Sequence, residues 1–386
     1  MTDALPYCVF SDGDRPPRPG VRIGDSVLPL SAAVDDPVMA TASLNGFMAQ
    51  GRARWAEVRA RIADFAGAGR QLAAARPLSD VRLHLPFLVG DYVDFYASEH
   101  HASNVGRIFR PGAAPLTPNW KHMPIGYHGR SGTVVVSGTR VRRPNGQRKA
   151  KSEPAGTAGP ASTAPSFGPS RRMDFEAEVG FVIGTGSELG TPVSVADFAE
   201  HVFGVFLVND WSARDLQAWE SQPLGPFLGK SFATSISPWV VPLDALSAAW
   251  TEPSPQDPPP LPYLADPGKS GLELALEVRI NGQLVSSPPF ASMYWTPAQM
   301  LAHMTVNGAS IRTGDFFASG TVSGPEPGQR GCLLELSWGG ETPVVLPDGL
   351  ERTFLEDGDE VSIAATAPGA GGRLSLGEVT GRLVAS

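Results

Sequence analysis

The sharpest alternation of apolar and polar positions lies in MDFEAEVGFVIG, where Phe175, Ala177, Val179, Phe181 and Ile183 interleave with Glu176, Glu178, Gly180 and Val182. A period of two predicts a strand with one apolar face, and it puts Glu176 and Glu178 together on the other. At a rise of ~3.3 Å per residue the two acids stand about 6.6 Å apart along the strand. Two carboxylates on one face repel unless the face is exposed or a cation bridges them. Further on, GVFLVN is a continuous apolar strand ending at Asp210, preceded by a Ser194/Asp197 capping pattern that opens a helix over VADFAEHV. Ser212 with Asp215 predicts the cap of a second helix over WSARDLQAWE, on which Arg214 and Gln217, three apart, share a face.

The remaining pattern is mostly strands. LELALEVRINGQLV predicts two strands turned at Asn281-Gly282, CLLELSWGG an apolar strand with Glu335 inside it, and DGDEVSIAAT and GRLVAS two more near the end. TPAQMLAHM reads as a helix, TVVVSG as a short strand, and Thr321 falls in a Gly/Ser turn after the short strand of RTGDFFASG. Residues 1–86 read as a small leading domain. There, VRIGDSVLPL with its Gly24-Asp25 turn predicts a hairpin of a small β-barrel, and Trp55, Val58, Ile62 and Phe65 recur at helical spacing ahead of Gly67 and Gly69. Residues 87–386 form the larger domain. Pro, Gly, Ser and Ala dominate from Asn145 to Arg172, which predicts a long surface loop able to act as a lid, and TEPSPQDPPPLPYLADPGKSG predicts a Pro-rich surface excursion without helix or strand.

A chain of 386 residues with 42% hydrophobic residues can bury a sizeable core, and its formal charge of −8 argues against polyanion partners. No nucleic-acid partner is expected. The start lacks a signal-peptide pattern and no apolar run is long enough to span a bilayer, so the expectation is a soluble cytoplasmic protein without a membrane partner. Cys8 and Cys332 are the only cysteines and form no C-x-x-C, so a metal here would be held by oxygen or imidazole.

Chemistry concentrates in DYVDFYASEHHASNVGRIFR, which sets Asp94, Tyr96, His100, His101, Asn104 and Arg110 in one short segment. Ser98 can cap a helix on which His101, Val105 and Ile108 follow at helical spacing, with His101 in the first turn. The plain alternative is a capped surface helix with a solvated histidine pair. Tyr127 and His128, in MPIGYHGR, either face a pocket or satisfy a rigid loop. GPFLGKS has three residues rather than four between its glycines and no apolar strand ahead, which excludes a phosphate loop and leaves Lys230 to present an ammonium to a pocket or to solvent. An ionised Glu335 in an apolar strand needs a partner. Asp94, Glu176, Glu178 and Asp210 make an oxygen-rich set suited to a hard cation such as Mg2+ or Ca2+. With His101 as base, Glu335 to orient it, and Lys230, Arg214 and Gln217 as donors, the set fits metal-assisted attack of water on a carbonyl.

The strings DFYASEHHASNVG, PNWKHMPIGYHGR, MDFEAEVGF, NDWSARDLQAWE, PLGPFLGKSF, ASGTVSGPEPG and LELSW, in this order, resemble the fumarylacetoacetate hydrolase family, nearly without interruption from Asp91 to the C-terminus and more weakly in the leading domain. The resemblance implies a mainly β fold with some α: a mixed β-roll catalytic domain preceded by a small SH3-like β-barrel domain, in a homodimer. It implies hydrolysis of the carbon–carbon bond of a β-diketo acid, 4-fumarylacetoacetate, in the last step of tyrosine and phenylalanine breakdown. Asp94, Glu176, Glu178 and Asp210 match the family's metal carboxylates, with Lys230 and Thr234 adjoining. His101 matches its general base, Glu335 the partner of that base, and Arg214, Gln217 and Lys230 its oxyanion donors. Tyr96, Arg110, Tyr127, Gln217 and Thr321 match positions that hold the substrate. Two positions depart from the pattern: Ser221 stands where the animal enzyme has Tyr, which bears on one end of the substrate, and Ala233 replaces a Gly near the metal. A related oxo-acid decarboxylase or isomerase on the same metal, and a metal-stabilised binding protein, are the competing readings.

Overall fold

The computed structural model describes residues 4–67, 71–149, 164–266 and 268–386. Strands Tyr7–Ser11, Arg18–Ile23 and Ser26–Pro29 form an antiparallel meander flanked by Arg82–His84 and Arg76–Pro77, a five-stranded sheet in all. The expected hairpin is present: Ile23 pairs with Ser26 across Gly24 and Asp25. Helix Arg52–Gly67 buries Trp55, Val58 and Ile62, and the Trp55 ring meets Phe203 edge-on at 5.2 Å. That aromatic contact and a reciprocal backbone pair between Tyr7 and Val240, 2.8 Å in both directions, seat the small sheet on the larger one.

The larger part is a roll of two mixed sheets. Ala177–Ile183 and Val202–Asp210 run antiparallel at the middle of an eight-stranded sheet. Phe316–Ala318 follows on one side, then Tyr92–Phe95 parallel to it, then Gly126–His128. On the other side Thr234–Ile236 pairs with Asp210 and its predecessors and carries Val134–Val136 parallel to it. The second sheet joins Gln283–Ser286, Ala275–Ile280, Glu360–Gly369, Gly372–Val384 and, parallel to the last, Arg140–Arg142. Its hairpin turns at Asn281 (φ 52°) and Gly282 (φ 79°), the positive-φ pair that a two-residue turn between right-twisted strands requires. Both central strands are buried along their whole length, because Phe175, Phe181, Trp211 and Phe317 fill the space inside the roll while Phe206, Phe316 and Val208 face the small sheet. Burial of each such side chain stabilises the fold by roughly 1.5–3 kcal/mol. Among the described residues no helix is long and apolar enough to cross a membrane.

Several local expectations are corrected. CLLELSWGG is not a strand: Leu333–Leu336 is one turn of helix, since Asp174 accepts Leu333 N (2.7 Å) and Leu334 N (3.0 Å) as an N-terminal carboxylate and Trp338 (φ 49°) ends the turn. Ser212 does not cap the next helix. Ser212–Ala213 is a short strand against Met173–Asp174, the helix is Arg214–Glu220, and Asp215 bonds Ser170 Oγ (2.6 Å) and Arg171 N (2.9 Å) instead. VADFAEHV is helical, a 3-10 turn at Val195–Asp197 running into a helical turn at Phe198–His201 before Val202 enters the long strand, but Ser194 caps no backbone amide: its Oγ donates to Asp197 Oδ2 (2.6 Å). MPIGYHGR contributes strand Gly126–His128 rather than loop alone. Within Asn145 to Arg172 the ends pair as a ribbon, Asn145–Arg148 with Ser166–Pro169, and the rest of the expected lid, 150–163, lies outside the described residues. The Pro-rich stretch has one short strand pair, Trp250–Thr251 with Gly271–Leu272, and a 3-10 turn at Pro262–Leu264. The final strand begins at Gly372, well before GRLVAS. Helices Glu99–Phe109 and Pro297–Thr305 form as expected, the latter with a full capping box from Thr296 and Gln299.

Candidate active site

The sheet registers bring four acids to one end of the roll. Asp94 pairs with Ala318 and Tyr127, Glu178 sits opposite Val208, Asp210 sits opposite Thr234, and Asp210 N donates to Glu176 O (3.2 Å). Their ligand oxygens lie within 4.8 Å of one another, and the side chains are 2, 5, 0 and 1% exposed for Asp94, Glu176, Glu178 and Asp210. The second face of the Glu176/Glu178 strand is therefore buried, not solvated. Lys230 Nζ donates to Glu176 and, at 2.7 Å, to Asp210 Oδ2. Tyr127 OH donates to Asp94 Oδ2 (3.1 Å) and Asp210 Oδ2 (3.2 Å), and Thr234 Oγ1 to Asp210 Oδ1 (3.3 Å).

The Lys230 ammonium and the Arg214 guanidinium, which Asp174 shares, do not balance four carboxylates. Asp94 Oδ1 and both oxygens of Glu178 find no hydrogen-bond partner among the described residues. Burial, and then the neighbouring carboxylates, push the Asp94 and Glu178 carboxyls well above the usual range, and burial raises Asp210 despite Lys230. Burial also pushes Glu176 upward, but Lys230 and Arg214 outweigh it and hold that carboxyl low. Buried oxygens without partners, in a set free of thiolate, fit a hard divalent cation.

Beside the acids, Ser98 Oγ accepts His101 N (3.2 Å) and so caps helix Glu99–Phe109, which fixes His101 in the first turn and buried. His101 Nδ1 is 2.6 Å from Glu335 Oε2. Asn104 Nδ2 (2.9 Å), Ser323 Oγ (2.8 Å) and Cys332 Sγ (3.2 Å) also donate to the Glu335 carboxylate. Burial works against this charge, but His101 and the donors prevail and bring the Glu335 carboxyl down to about 2. With Glu335 ionised, Nδ1 carries the hydrogen of this bond, which leaves Nε2 as the ring nitrogen not engaged by the carboxylate. Burial keeps Cys332 a thiol, so this trio is a hydrogen-bonded dyad with a supporting donor and not a second cation site. The Tyr96 ring stands edge-on to His101 at 5.2 Å.

Arg214 reaches Asp174 Oδ2 through Nε (2.8 Å), Glu176 Oε1 through Nη1 (2.7 Å) and Gln217 Oε1 through Nη1 (3.1 Å). Lys230 is placed by the loop before it. Glu220 accepts Phe227 N (2.8 Å), Leu228 N (2.9 Å) and Gly229 N (2.7 Å), and a Cβ at Gly229 would meet Gln217 N at 2.8 Å, so only glycine lets the loop lie on the helix. A cavity of about 230 Å³ opens beside Tyr92, Tyr127, Asp210, Lys230 and Thr234. Thr321 Oγ1 is buried without a partner among the described residues. Ser221 Oγ donates to Gln217 O, and Ala233 is buried in the core.

Asp94, Glu176, Glu178, Asp210, Lys230, Arg214, Gln217, Tyr127 and Thr234 are thus joined by contacts, and His101, Glu335 and Tyr96 form the adjoining group. Arg110 makes no hydrogen bond to these groups among the described residues, although its charge acts on Tyr96: it is exposed and its Nη2 donates to Pro115 O (2.9 Å). His128 lies exposed at the rim near Asp91. Sequence reasoning missed Asp174, Ser323 and Tyr92. For Asp174 a signal existed, since it continues the alternation of Glu176 and Glu178 two residues back.

Residues 92–384 match the family described as Fumarylacetoacetate (FAA) hydrolase C-terminal, and residues 3–86 the family described as Fumarylacetoacetase N-terminal. Fumarylacetoacetase of Arabidopsis thaliana is 44% identical over 409 residues, covering 99% of this chain and 95% of its own. The Homo sapiens fumarylacetoacetase is 44% identical, covering 98% and 95%. Among solved structures, the fumarylacetoacetate hydrolase of Exiguobacterium antarcticum superposes with a TM-score of 0.57 at 18% identity over 99% of both chains. A 2-hydroxyhepta-2,4-diene-1,7-dioate isomerase from Mycobacterium marinum gives 0.52 at 16% identity over 99% of both. These two likenesses establish the fold alone.

Proposed function

The chain belongs to the fumarylacetoacetate hydrolase family, and from that premise we propose that it is the hydrolase that cleaves 4-fumarylacetoacetate to fumarate and acetoacetate. The observation that carries the reading is the His101–Glu335 pair at 2.6 Å, buried beside four convergent carboxylates. Water activation needs such a base, whereas isomerisation of a diene acid does not need to add water.

Asp94, Glu176, Glu178 and Asp210 are the residues that would hold the cation, with Lys230 and Thr234 adjoining, and their oxygens suit Mg2+ or Ca2+. When bound, such a cation supplies Lewis-acid polarisation of the keto oxygens. His101 Nε2 takes a proton from water as the water oxygen bonds to the carbonyl carbon on the fumaryl side. Glu335 holds the imidazolium that forms. Lys230, Arg214 and Gln217 donate to the oxyanion. Collapse restores the carbonyl and breaks the carbon–carbon bond. The electron pair leaves with the acetoacetate carbon, which takes back the proton from His101. Tyr96, Tyr127, Arg110 and Thr321 hold the oxygens of the substrate, Arg110 after exchanging Pro115 O for a carboxylate.

The reaction is the last step of tyrosine and phenylalanine breakdown, in the cytoplasm. Two units, 1–86 and 87–386, divide the chain, the first an SH3-like barrel that backs the second. The working assembly is a homodimer. Leu224 (95% exposed), Phe227, Leu228 and Trp219 are exposed apolar side chains, with Phe227 beside the cavity, and such surface is the kind that a second copy covers. The experiment is to incubate the purified protein with fumarylacetoacetate, with and without a chelator, and follow the loss of diketone absorbance. No turnover after refilling with Mg2+ or Ca2+ refutes the reading.

A further inference from the structure

Asp174 is fully buried and uses both carboxylate oxygens twice. Oδ1 accepts Phe175 N (2.8 Å) and Leu333 N (2.7 Å), and Oδ2 accepts Arg214 Nε (2.8 Å) and Leu334 N (3.0 Å). The four donors come from three separate parts of the fold: the extended segment that carries Glu176, the helix that carries Arg214, and the single helical turn that carries Glu335. We propose that Asp174 is a positioning residue for the hydrolysis, one carboxylate that sets Arg214 and Glu335 in a common frame and so ties the oxyanion donor to the dyad that activates water. This rests on the hydrolase reading above.

The turn Leu333–Leu336 is too short to hold its own place. Its first two amides have no intrahelical partners, and Asp174 satisfies both, one on each oxygen. Glu335 follows directly after them, so its Cα is located by the bonds to Leu333 and Leu334. A shift of the turn moves Oε2 away from His101, with which it stands at 2.6 Å. On the other side, the bond from Arg214 Nε to Asp174 and those from Nη1 to Glu176 and Gln217 leave Nη2 as the guanidinium nitrogen without a partner among the described residues. Asp174 therefore decides which end of the fork is kept free for a substrate oxygen. A guanidinium held by Glu176 alone could rotate and offer another nitrogen.

The amide in Asp174→Asn keeps one acceptor but turns two hydrogens toward groups that are themselves donors, Arg214 Nε and Leu334 N. Turnover should fall about 10²-fold, in the range seen when a group that orients a ligand or base is removed. KM and the affinity for Mg2+ or Ca2+ should stay within about threefold, because the residue touches neither substrate nor cation ligand oxygens. A residue that merely held the fold would lower the folded fraction and leave kcat per folded molecule unchanged. The distinguishing measurement is a double-mutant cycle. In the His101→Ala background, Asp174→Asn should cost much less than in the unsubstituted enzyme, since part of its effect passes through the dyad. If D174N does not fold, Asp174→Glu keeps the charge and displaces it by one methylene, and the same loss of kcat with retained metal binding is expected. A folded D174N or D174E variant with kcat within threefold of the parent, or losses that multiply in full in the cycle, overturns the inference while the hydrolase reading stands. Failure of the unsubstituted protein to hydrolyse fumarylacetoacetate overturns both.

Discussion

Glu178 offers the most direct test of the charge balance in the site. Both its oxygens are buried without partners among the described residues, and three more carboxylates have oxygens within 4.8 Å. Two unit charges at 4.8 Å in an effective dielectric of about 20 interact by about 3.5 kcal/mol. Replacing Glu178 by Gln removes one anionic ligand from a bound cation, an attraction of the same order, offset in part by the repulsion among the acids that goes with it. Affinity for Mg2+ or Ca2+ should fall about 10²-fold. The metal-free protein should respond in the opposite sense. The Asp94 and Glu178 carboxyls are raised in the folded state, so the folded protein holds protons that the unfolded chain has released. The stability they contribute is fully present below the unfolded carboxyl range, near pH 4, and is lost as pH rises toward the raised folded values. The slope is about 1.36 kcal/mol per pH unit for each proton retained. Denaturant melts of chelated protein from pH 5 to 8 should therefore show stability falling with pH, less steeply in Glu178→Gln, and saturating Mg2+ or Ca2+ should remove the fall in the unsubstituted protein. Equal pH slopes for both chelated proteins, together with unchanged cation affinity in calorimetry, would refute this account of the site.

His101→Ala should lower kcat by roughly 10² to 10⁴, the usual worth of a positioned base, with cation binding kept; near-normal turnover would move the base elsewhere. Arg110→Ala should raise KM more than it lowers kcat, because its exposed guanidinium is available to a substrate carboxylate, and steady-state kinetics with an unchanged KM counts against that contact. Glu335→Gln removes a carboxyl depressed to about 2. Such a group gives stability above its unfolded value near 4.5 that is lost as pH falls through about 2, so the variant's acid unfolding between those values should be shallower than the parent's, and superimposable acid curves would show that the dyad is not charged.

Much of the site was legible because strand alternation is a local property. Glu176 and Glu178 on one face, Asp210 at the end of an apolar strand, and Ser98 capping the helix of His101 each need only a few neighbouring residues. The family resemblance supplied the roles. Glu335 was misplaced on a strand because the agent that coils CLLEL is Asp174, more than 150 residues earlier. Ser212 looked like a cap because its spacing to Asp215 is right, yet the strand Met173–Asp174 claims its backbone and Ser170 claims Asp215. Both failures have one cause: a distant partner outbid a local pattern, and no window of sequence contains that partner. The burial of the acidic strand face was hidden in the same way, since the groups that cover it come from Tyr92–Phe95, Phe316–Ala318 and the Lys230 loop.

Asp174, Glu176 and Glu178 occupy every second position of one extended segment, the first holding Arg214 and the Leu333–Leu336 turn and the other two belonging to the acidic set. Deleting or inserting a single residue between Met173 and Glu178 would exchange acids for Phe175, Ala177 or Val179 across the whole site. This segment can therefore diverge by substitution but not by an odd change of length. Scanning libraries should find it intolerant of every one-residue gap, while a two-residue duplication keeps the phase of the pleat and shifts only the spacing to Asp210. A search for distant relatives can use this as a filter: an aligned sequence with an odd-length gap here has lost the chemistry, whatever its overall similarity.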